Sequence, residues 1–230
     1  MAVVRRIQCT VRAVRDHGER VYSVDFEASV PFPGFTPGQF LHLALDPYQA
    51  DGFWPESRVF SIASSNEERT SLSITYAVKG AFTTRMEREL AVGADVWVKL
   101  AYGDFVIDPE RDAVLFAGGT GVTAFTAFLE SLRPETARQV VLFYGARTTD
   151  LFVYGPLVES RAEAVPALTT HLVCEETKGR LDVDVAWPEV ERLGNPVCYL
   201  SGPPAMLGAL TAQLRGRGVP TDDVRIDAWE

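Results

Sequence analysis

The sequence predicts two domains: an N-terminal antiparallel β-barrel, followed by an α/β domain built on a parallel sheet. At 230 residues and 47% hydrophobic content, the chain can bury two hydrophobic cores. Its first half alternates apolar and polar residues between Pro and Gly turns, whereas its second half has short apolar runs between helical stretches. Because the pattern changes near residue 110, we predict domains at 1–108 and 109–230.

Each half contains the strands that its predicted architecture requires. Alternating runs with one short helix are typical of a closed antiparallel barrel. Mostly apolar runs separated by helices are typical of a parallel sheet that is covered on both faces. The predicted strands are 3–14, 21–27, 39–45, 58–63, 72–78 and 95–100 in the first half, and 113–117, 139–144, 168–174, 197–201 and 223–227 in the second.

Composition and charge exclude several classes of protein. No apolar run approaches the ~20 residues that cross a bilayer, and no signal-peptide core follows the first residues, so we expect a cytoplasmic protein without a membrane partner. The formal net charge of −9 gives no support to nucleic-acid binding. It also disfavours a strongly acidic protein partner, although Arg5, Arg6, Arg12 and Arg15 could form a local basic patch.

The three cysteines, Cys9, Cys174 and Cys198, lie far apart and form no CxxC pair. They predict neither a disulfide framework nor an iron–sulfur cluster, since such a cluster needs four thiolates. The three histidines show no ligand spacing either. We therefore predict no metal site.

Four short strings lie within or directly after predicted strands, and an aromatic residue, Trp229, is the penultimate residue of the chain. The strings are Arg58-Val-Phe-Ser61, Gly80-Ala-Phe-Thr-Thr-Arg-Met86, Gly118-Gly-Thr-Gly121 and Ser201-Gly-Pro-Pro-Ala-Met206. In this order they resemble the ferredoxin reductase-like flavoprotein family over nearly the whole chain. The resemblance implies a flavin-binding barrel followed by an NAD(P)-binding α/β domain.

The first string would bind the flavin. A strand can offer a cation for phosphate, a ring for stacking and a hydroxyl for the polar edge of the flavin ring, all from one face. The resemblance gives these roles to Arg58, Phe60 and Ser61, with Val59 between them, and Phe60 replaces the family's usual Tyr. An ordinary strand with an exposed arginine is the alternative.

The second string follows a strand and opens a helix, whose first amides can bind phosphate. By resemblance, the residues that hold the flavin phosphates are Gly80, Ala81, Phe82, Thr83 and Thr84. A pyrophosphate at this site favours FAD over FMN. A plain Gly–Thr helix cap is the alternative.

The third string lies between a predicted strand and a helix with an apolar face, which is the context of a dinucleotide phosphate site. By resemblance, Gly119, Thr120 and Gly121 receive the coenzyme pyrophosphate. A turn without a ligand is the alternative.

The fourth string ends a strand at the carboxyl edge of the predicted sheet, where open α/β sheets bind ligands. The family's cysteine at this position borders the nicotinamide, and Ser201 stands there in this chain, followed by Gly202 and Pro203. The predicted catalytic residues are Ser61, Ser201 and Trp229. By resemblance, Trp229 forms a lid over the flavin. A stiff proline loop and an ordinary packed tryptophan are the alternatives.

The resemblance implies an NAD(P)H-dependent reductase. Hydride would pass from nicotinamide to bound flavin, and single electrons would then pass to a separate protein such as a ferredoxin, a flavodoxin or an oxygenase component. One alternative is a flavin reductase that releases reduced flavin. The other is a flavin-binding sensory module without turnover.

Two loops should meet the coenzyme ribose: 145–149, which carries Arg147, and 174–176, which carries Glu175. In NADP-specific relatives an arginine occupies the second loop. A carboxylate there accepts a hydrogen bond from a ribose 2′-hydroxyl and repels a 2′-phosphate. We therefore expect NADH as the coenzyme, with NADPH as the alternative.

Overall fold

The computed structural model describes residues 4–108 and 110–227, and divides the chain into two units between Val106 and Ile107. The predicted lid residue Trp229 lies outside the described residues. Within the described ranges, no helix combines the length and the apolar character needed to cross a membrane.

The first unit is a six-stranded antiparallel sheet in the order β4-β3-β6-β1-β2-β5. Just after β4, the amide of Ala63 donates to the carbonyl of Ser73 in β5 at 2.9 Å, which brings the two edge strands together into a nearly closed barrel. Its elements are β1 (Arg5–Asp16), β2 (Val21–Glu27), β3 (Phe40–Ala44), β4 (Ser57–Ser61), β5 (Ser71–Ala77), α1 (Ala81–Glu89) and β6 (Asp95–Tyr102).

The alternation of apolar side chains builds the barrel core. Val24 and Phe26 of β2 are fully buried opposite Ile74 and Leu72 of β5. Every second residue of a strand points to the same face, so the apolar positions of neighbouring strands meet inside the barrel.

The second unit is a five-stranded parallel sheet in the order β11-β10-β7-β8-β9. The chain runs outward from β7 to β9 and then crosses to the other side of β7, so the topological switch point lies between β7 and β10. Its elements are β7 (Ala113–Gly118), α2 (Thr123–Ser131), β8 (Val140–Ala146), α3 (Gly155–Ala164), β9 (Leu168–Cys174), α4 (Glu175–Lys178), α5 (Val183–Leu193), β10 (Val197–Ser201), α6 (Pro204–Gly216) and β11 (Val224–Asp227).

The predicted fold class, an antiparallel barrel followed by a parallel-sheet α/β domain, is confirmed. One helix differs from its prediction, because α2 is buried on more than one face, from Thr123 to Leu129. Arg161 of α3 donates to the carbonyl of Leu129 at 3.1 Å. Helix α3 therefore packs against α2.

Candidate functional site

In the barrel unit, Arg58 lies beside the start of α1. Its guanidinium carbon is 5.3 Å from the centre of the ring of Phe82, the second residue of that helix. Its Nη1 donates to the carbonyl of Ser57 at 2.9 Å, and its Nη2 lies 3.3 Å from a carboxylate oxygen of Glu56. The side chain is 53% exposed, so the cation can still reach an anion. A guanidinium beside a helix N-terminus is a donor set that fits a phosphate group.

The start of α1 uses one predicted phosphate ligand for its own cap. The Thr83 hydroxyl accepts hydrogen bonds from the amides of Lys79 and Gly80, at 2.9 and 3.1 Å. This hydroxyl therefore caps the helix, and its contact with phosphate stays a prediction. A Cβ added to Gly80 would meet no atom within 4 Å, which leaves open space at the cap.

The amides that remain for an anion are those at the very start of α1. The amide of Thr84 donates to the carbonyl of Gly80 at 2.9 Å and therefore belongs to the helix. Ala81, Phe82 and Thr83 precede it, and first-turn amides have no partner inside a helix. Among the five predicted residues, the backbone amides of these three best fit a phosphate contact.

Strand β4 divides the predicted flavin-ring contacts between two faces. Phe60 pairs with the fully buried Leu41, and its ring lies 6.2 Å from that of Tyr76 in an edge-on contact. Arg58 lies two residues earlier and shares this face.

The other face of β4 carries Val59 and Ser61, which pair with His42 and Phe40 of β3. All four side chains are half-buried. The prediction that Arg58, Phe60 and Ser61 act from one face is therefore wrong, because successive residues of a strand alternate.

In the α/β unit, the two glycine strings meet at the switch point between β7 and β10. A Cβ added to Gly121 would lie 2.5 Å from the carbonyl carbon of Ser201, and one added to Gly118 would lie 2.5 Å from the Sδ of Met206. A Cβ on Gly202 would lie 2.7 Å from the Cε of Met206. All three distances are shorter than real Cβ contacts, but only at Gly121 are the nearest atoms backbone atoms, so close backbone packing requires glycine at that position.

Gly119 lies in a different environment. Its φ of +54° is in the left-handed region that favours glycine, and an added Cβ would meet no atom within 4 Å. Thr120 follows in the 3-10 turn Gly119–Val122, and its carbonyl accepts a hydrogen bond from the Thr123 hydroxyl at 2.8 Å. Gly119 is therefore open to a ligand at the carboxyl edge of the sheet. Pro203 is exposed and precedes α6 at the same edge.

Ser201 forms a buried pair with Asp227, a residue that sequence reasoning missed. The two residues are 3% and 4% exposed, and the Ser201 hydroxyl donates to the Oδ2 of Asp227 at 2.9 Å. They lie opposite each other in the parallel pairing of β10 and β11. The signal that could have identified Asp227 is a carboxylate in a predicted strand, two residues before the singled-out Trp229.

The two predicted ribose loops also meet. The carbonyl of Arg147 accepts from the amide of Glu176 at 3.2 Å and from the thiol of Cys174 at 3.5 Å. The Glu175 carboxylate accepts from Nε of Arg180 at 2.9 Å. The prediction of NADH rests on the Glu175 carboxylate, and this carboxylate is already paired with a cation five residues further along the chain.

Cys9 and Cys198 lie in an inert environment. Burial raises the pKa of the Cys9 and Cys198 thiols to about 12, so neither is a thiolate near neutral pH. In the described parts of the chain, no three His, Cys, Asp or Glu side chains are grouped so that they could hold a metal ion.

Comparisons with known proteins agree with this arrangement. A protein-family profile described as an oxidoreductase NAD-binding domain matches residues 115–211. Ferredoxin–NAD(P)(+) reductase CarAd from Metapseudomonas resinovorans is 27% identical over 98% of this chain and 70% of its own length. The phenol 2-monooxygenase reductase component DmpP from Pseudomonas sp. (strain CF600) is 29% identical over 90% of this chain and 61% of its own length.

The solved structure of the Amycolatopsis cytochrome P450 reductase GcoB superposes with a TM-score of 0.84 at 23% identity, over 99% of this chain and 70% of that one. The chain thus spans between 61% and 70% of the length of these relatives. At this identity the structural match shows a shared fold.

Proposed function

Because the chain belongs to the ferredoxin reductase-like flavoprotein oxidoreductases, we propose that it takes hydride from NAD(P)H onto bound FAD and passes electrons singly to a separate acceptor protein. As predicted, the family makes it an oxidoreductase with FAD and NAD(P)H as cofactors. The observation that carries the proposal is the contact between the two glycine strings at the sheet's switch point, which leaves no room for a Cβ.

The barrel unit would hold FAD. Arg58 and the first amides of α1 would bind a phosphate, and the open space at Gly80 leaves room for it. Phe60 and Ser61 lie on opposite faces at the end of β4, so they would contact the ring from different directions. When bound, FAD supplies the conversion between two-electron and one-electron chemistry.

The α/β unit would hold the dinucleotide. Gly119, Thr120 and Gly121 would receive its pyrophosphate, with Gly202 and Pro203 on the other side of the switch point. Ser201 would border the nicotinamide. Its hydroxyl proton points to Asp227, so its lone pairs are directed away from the carboxylate and are held in one orientation. Trp229, outside the described residues, remains the proposed lid.

NADH is the proposed coenzyme. The contact with Arg180 weakens one argument for NADH, because the Glu175 carboxylate already has a cationic partner. The Glu175–Arg180 pair is exposed, with side chains 43% and 84% accessible, so it contributes little and can open. An opened pair would offer the carboxylate to a ribose 2′-hydroxyl or the guanidinium to a 2′-phosphate.

The acceptor is proposed to be a protein. The relatives include a ferredoxin–NAD(P)(+) reductase and a reductase component of a monooxygenase, whose names imply electron transfer to a partner. A cytoplasmic location is part of the proposal, because NAD(P)H is supplied inside the cell.

The deciding experiment is anaerobic addition of NADH to the purified protein loaded with FAD. We expect the visible flavin absorbance to bleach within the time of mixing and to recover when ferricyanide is added. Protein that binds FAD and does not bleach with NADH or NADPH would be a module without turnover. Protein whose colour is lost on dialysis, while it reduces free flavin, would be a flavin-releasing reductase.

A further inference from the structure

A cavity of about 490 Å³ lies in the α/β unit, at the amino edge of the parallel sheet. Asp112 directly precedes β7 and Gln139 directly precedes β8, and the Oδ1 of Asp112 accepts from the amide of Gln139 at 2.7 Å. Small-molecule sites in proteins typically have volumes of ~300–1,000 Å³, so this cavity has the size of a ligand site. Its lining includes Glu110, Asp112, Ser131, Leu132, Thr136 and Arg138.

The cavity is separate from the proposed coenzyme site, which lies at the carboxyl edge of the same sheet. Helix α2 starts directly after the glycine turn Gly119–Val122 and ends at Ser131, which lines the cavity. The nine residues of this helix span about 13 Å. A molecule in the cavity would therefore be a second ligand and not a part of the dinucleotide.

Arg138 is held in a fixed orientation in this cavity. Its guanidinium carbon lies 4.8 Å from the centre of the ring of Phe128, which is buried, and its Nη1 donates to the carbonyl of Asp108. In the described parts of the chain, no carboxylate forms an ion pair with this guanidinium. Burial lowers the pKa of Arg138 below its ordinary value, and the nearby Tyr199, Asp108 and Glu110 only partly offset this effect. Arg138 is therefore a half-buried cation whose charge is not compensated.

Most of the donors of Arg138 remain for a ligand. An arginine side chain has five N–H donors, and the hydrogen bond to Asp108 uses one of them. The planar guanidinium can bind a carboxylate through two parallel hydrogen bonds. The Oγ1 of Thr136 accepts from the amide of Arg133 at 3.0 Å, so its hydroxyl proton can donate to a ligand as well. Arg138 and Thr136 together fit the carboxylate group of a small molecule.

Two carboxylates in the same lining supply the opposite charge. Glu110 is exposed, and among the described residues its carboxylate has no cationic partner. One oxygen of Asp112 accepts from the Gln139 amide, and within residues 4–108 and 110–227 the other oxygen has no hydrogen-bond donor. Both carboxylates can therefore attract a cationic group. Leu132, which is 3% exposed, adds an apolar wall for a short aliphatic stem.

We propose that this cavity binds a small basic amino acid, a molecule with one carboxylate, two cationic groups and a short aliphatic stem. The walls carry the two negative charges of Glu110 and Asp112 and the positive charge of Arg138, and such a ligand carries the complementary set. Its carboxylate binds Arg138 and Thr136, its cationic groups bind the two wall carboxylates, and its stem packs on Leu132. This second ligand is independent of the proposed reductase function.

The test is isothermal titration calorimetry of the full chain loaded with FAD, with L-lysine as the probe. Two analogues each lack one charged group of lysine: cadaverine lacks the carboxylate, and L-norleucine lacks the side-chain ammonium. We expect the wild-type protein to bind L-lysine about 10-fold more tightly than either analogue at low salt. All three ligands are measured on the unchanged protein, so this comparison does not depend on the folding of a variant.

Variants then assign the charges of the cavity. Arg138→Gln should weaken binding of L-lysine by about 10-fold and should not weaken binding of cadaverine, which has no carboxylate to lose a partner. The double variant Glu110→Gln with Asp112→Asn keeps an oxygen for the Gln139 amide, and should weaken L-lysine and cadaverine more than L-norleucine. The control is Arg133→Gln, an exposed arginine outside the lining, which should leave all three affinities unchanged.

Four outcomes would overturn the inference. The first is no binding of L-lysine to the wild-type protein, and the second is equal affinity for L-lysine and both analogues. The third is an Arg138→Gln variant that weakens all three ligands alike, because the arginine would then only support the fold. The fourth is displacement of L-lysine by NADH, which would assign the lysine to the coenzyme site. None of these outcomes bears on the reductase function, which bleaching of the flavin by NADH tests separately.

Discussion

The two candidate cofactor sites are built in different ways. The barrel site consists mainly of half-buried or exposed side chains, with Arg58 over Phe82 and Phe60 against Tyr76. The sheet-edge site consists of backbone packed against backbone, and Gly121 has no room for one additional carbon beside Ser201. A site made of side chains can exchange one ring for another, as Phe60 in place of the family's usual Tyr illustrates. A site made of packed backbone has no such freedom at its closest contact, which is at Gly121.

The largest effect is therefore expected at the sheet edge. Gly121→Ala places a Cβ 2.5 Å from the carbonyl carbon of Ser201, and neither backbone segment can move away without separating β7 from β10. Overpacking of this kind costs about 3 kcal/mol. We expect a lower midpoint in chemical unfolding and loss of NADH binding measured by titration.

Gly208→Ala is the matched control for that change. Gly208 is exposed within α6, and an added Cβ meets no atom within 4 Å. Alanine should stabilise the helix by about 0.5–1 kcal/mol. If Gly121→Ala binds NADH and unfolds like Gly208→Ala, the contrast between the two sites is wrong.

The barrel site is tested by Arg58→Ala. Loss of one charge-assisted contact with phosphate, worth roughly 1.5–3 kcal/mol, should weaken FAD affinity by on the order of 10- to 150-fold. The variant should purify with less bound flavin, and equilibrium titration of the apoprotein should give the affinity. Arg12→Ala, an exposed arginine paired with Glu27, should bind FAD as the wild type does. Wild-type FAD affinity in Arg58→Ala would remove Arg58 from the site.

Ser201→Ala tests the buried pair of Ser201 and Asp227 at the sheet edge. The change leaves the carboxylate of Asp227 without the hydroxyl that donates to it at 2.9 Å, and this should cost about 1–3 kcal/mol of stability. Ser201→Cys keeps a weak donor and should lose less. Stopped-flow measurement of flavin bleaching by NADH should show a slower step in the alanine variant at saturating NADH. Equal rates in all three proteins would make the pair purely structural.

Coenzyme choice should respond to the exposed pair at the ribose loops. Glu175→Arg should shift the ratio of kcat/KM values toward NADPH by ~1–2 kcal/mol, because it replaces a repelling charge with an attracting one. Arg180→Ala frees Glu175 and should shift the same ratio toward NADH. Initial rates with both coenzymes measure the ratio. No change in either variant would place the ribose elsewhere, and a tenfold wild-type preference for NADPH would contradict the proposed coenzyme.

The smallest expected effect is on the pH dependence of the stability of the barrel. Burial first, and then Lys99, lower the pKa of His42 below its ordinary value of 6.5; burial and then Arg15 do the same for His17. As the pH falls below 6.5, these histidines become protonated in the unfolded chain before they do in the folded protein. The free energy of unfolding therefore decreases as the pH is lowered from neutral. His42→Asn should reduce the drop in melting temperature between about pH 7.5 and 5.5 by about 1–3 °C. An unchanged drop would show that His42 does not contribute to it.

Local patterns in the sequence determined the architecture and the general position of both sites. The strands follow from alternation and apolar runs, which act between near neighbours. The glycine strings lie after strands, and strand ends of a parallel sheet meet at one edge. The alternation within β4 was also present in the sequence, since Phe60 and Ser61 are adjacent and must face opposite ways.

Only the tertiary structure decided which distant groups meet. Ser201 and Asp227 are 26 residues apart and become partners because β10 and β11 lie side by side in register. The fold likewise pairs Arg12 and Arg15 with carboxylates and leaves Arg6 over a ring, although all three lie on one strand. Whether a charge is compensated depends on the side chains of neighbouring elements, and residue type and spacing along one strand contain no information about them.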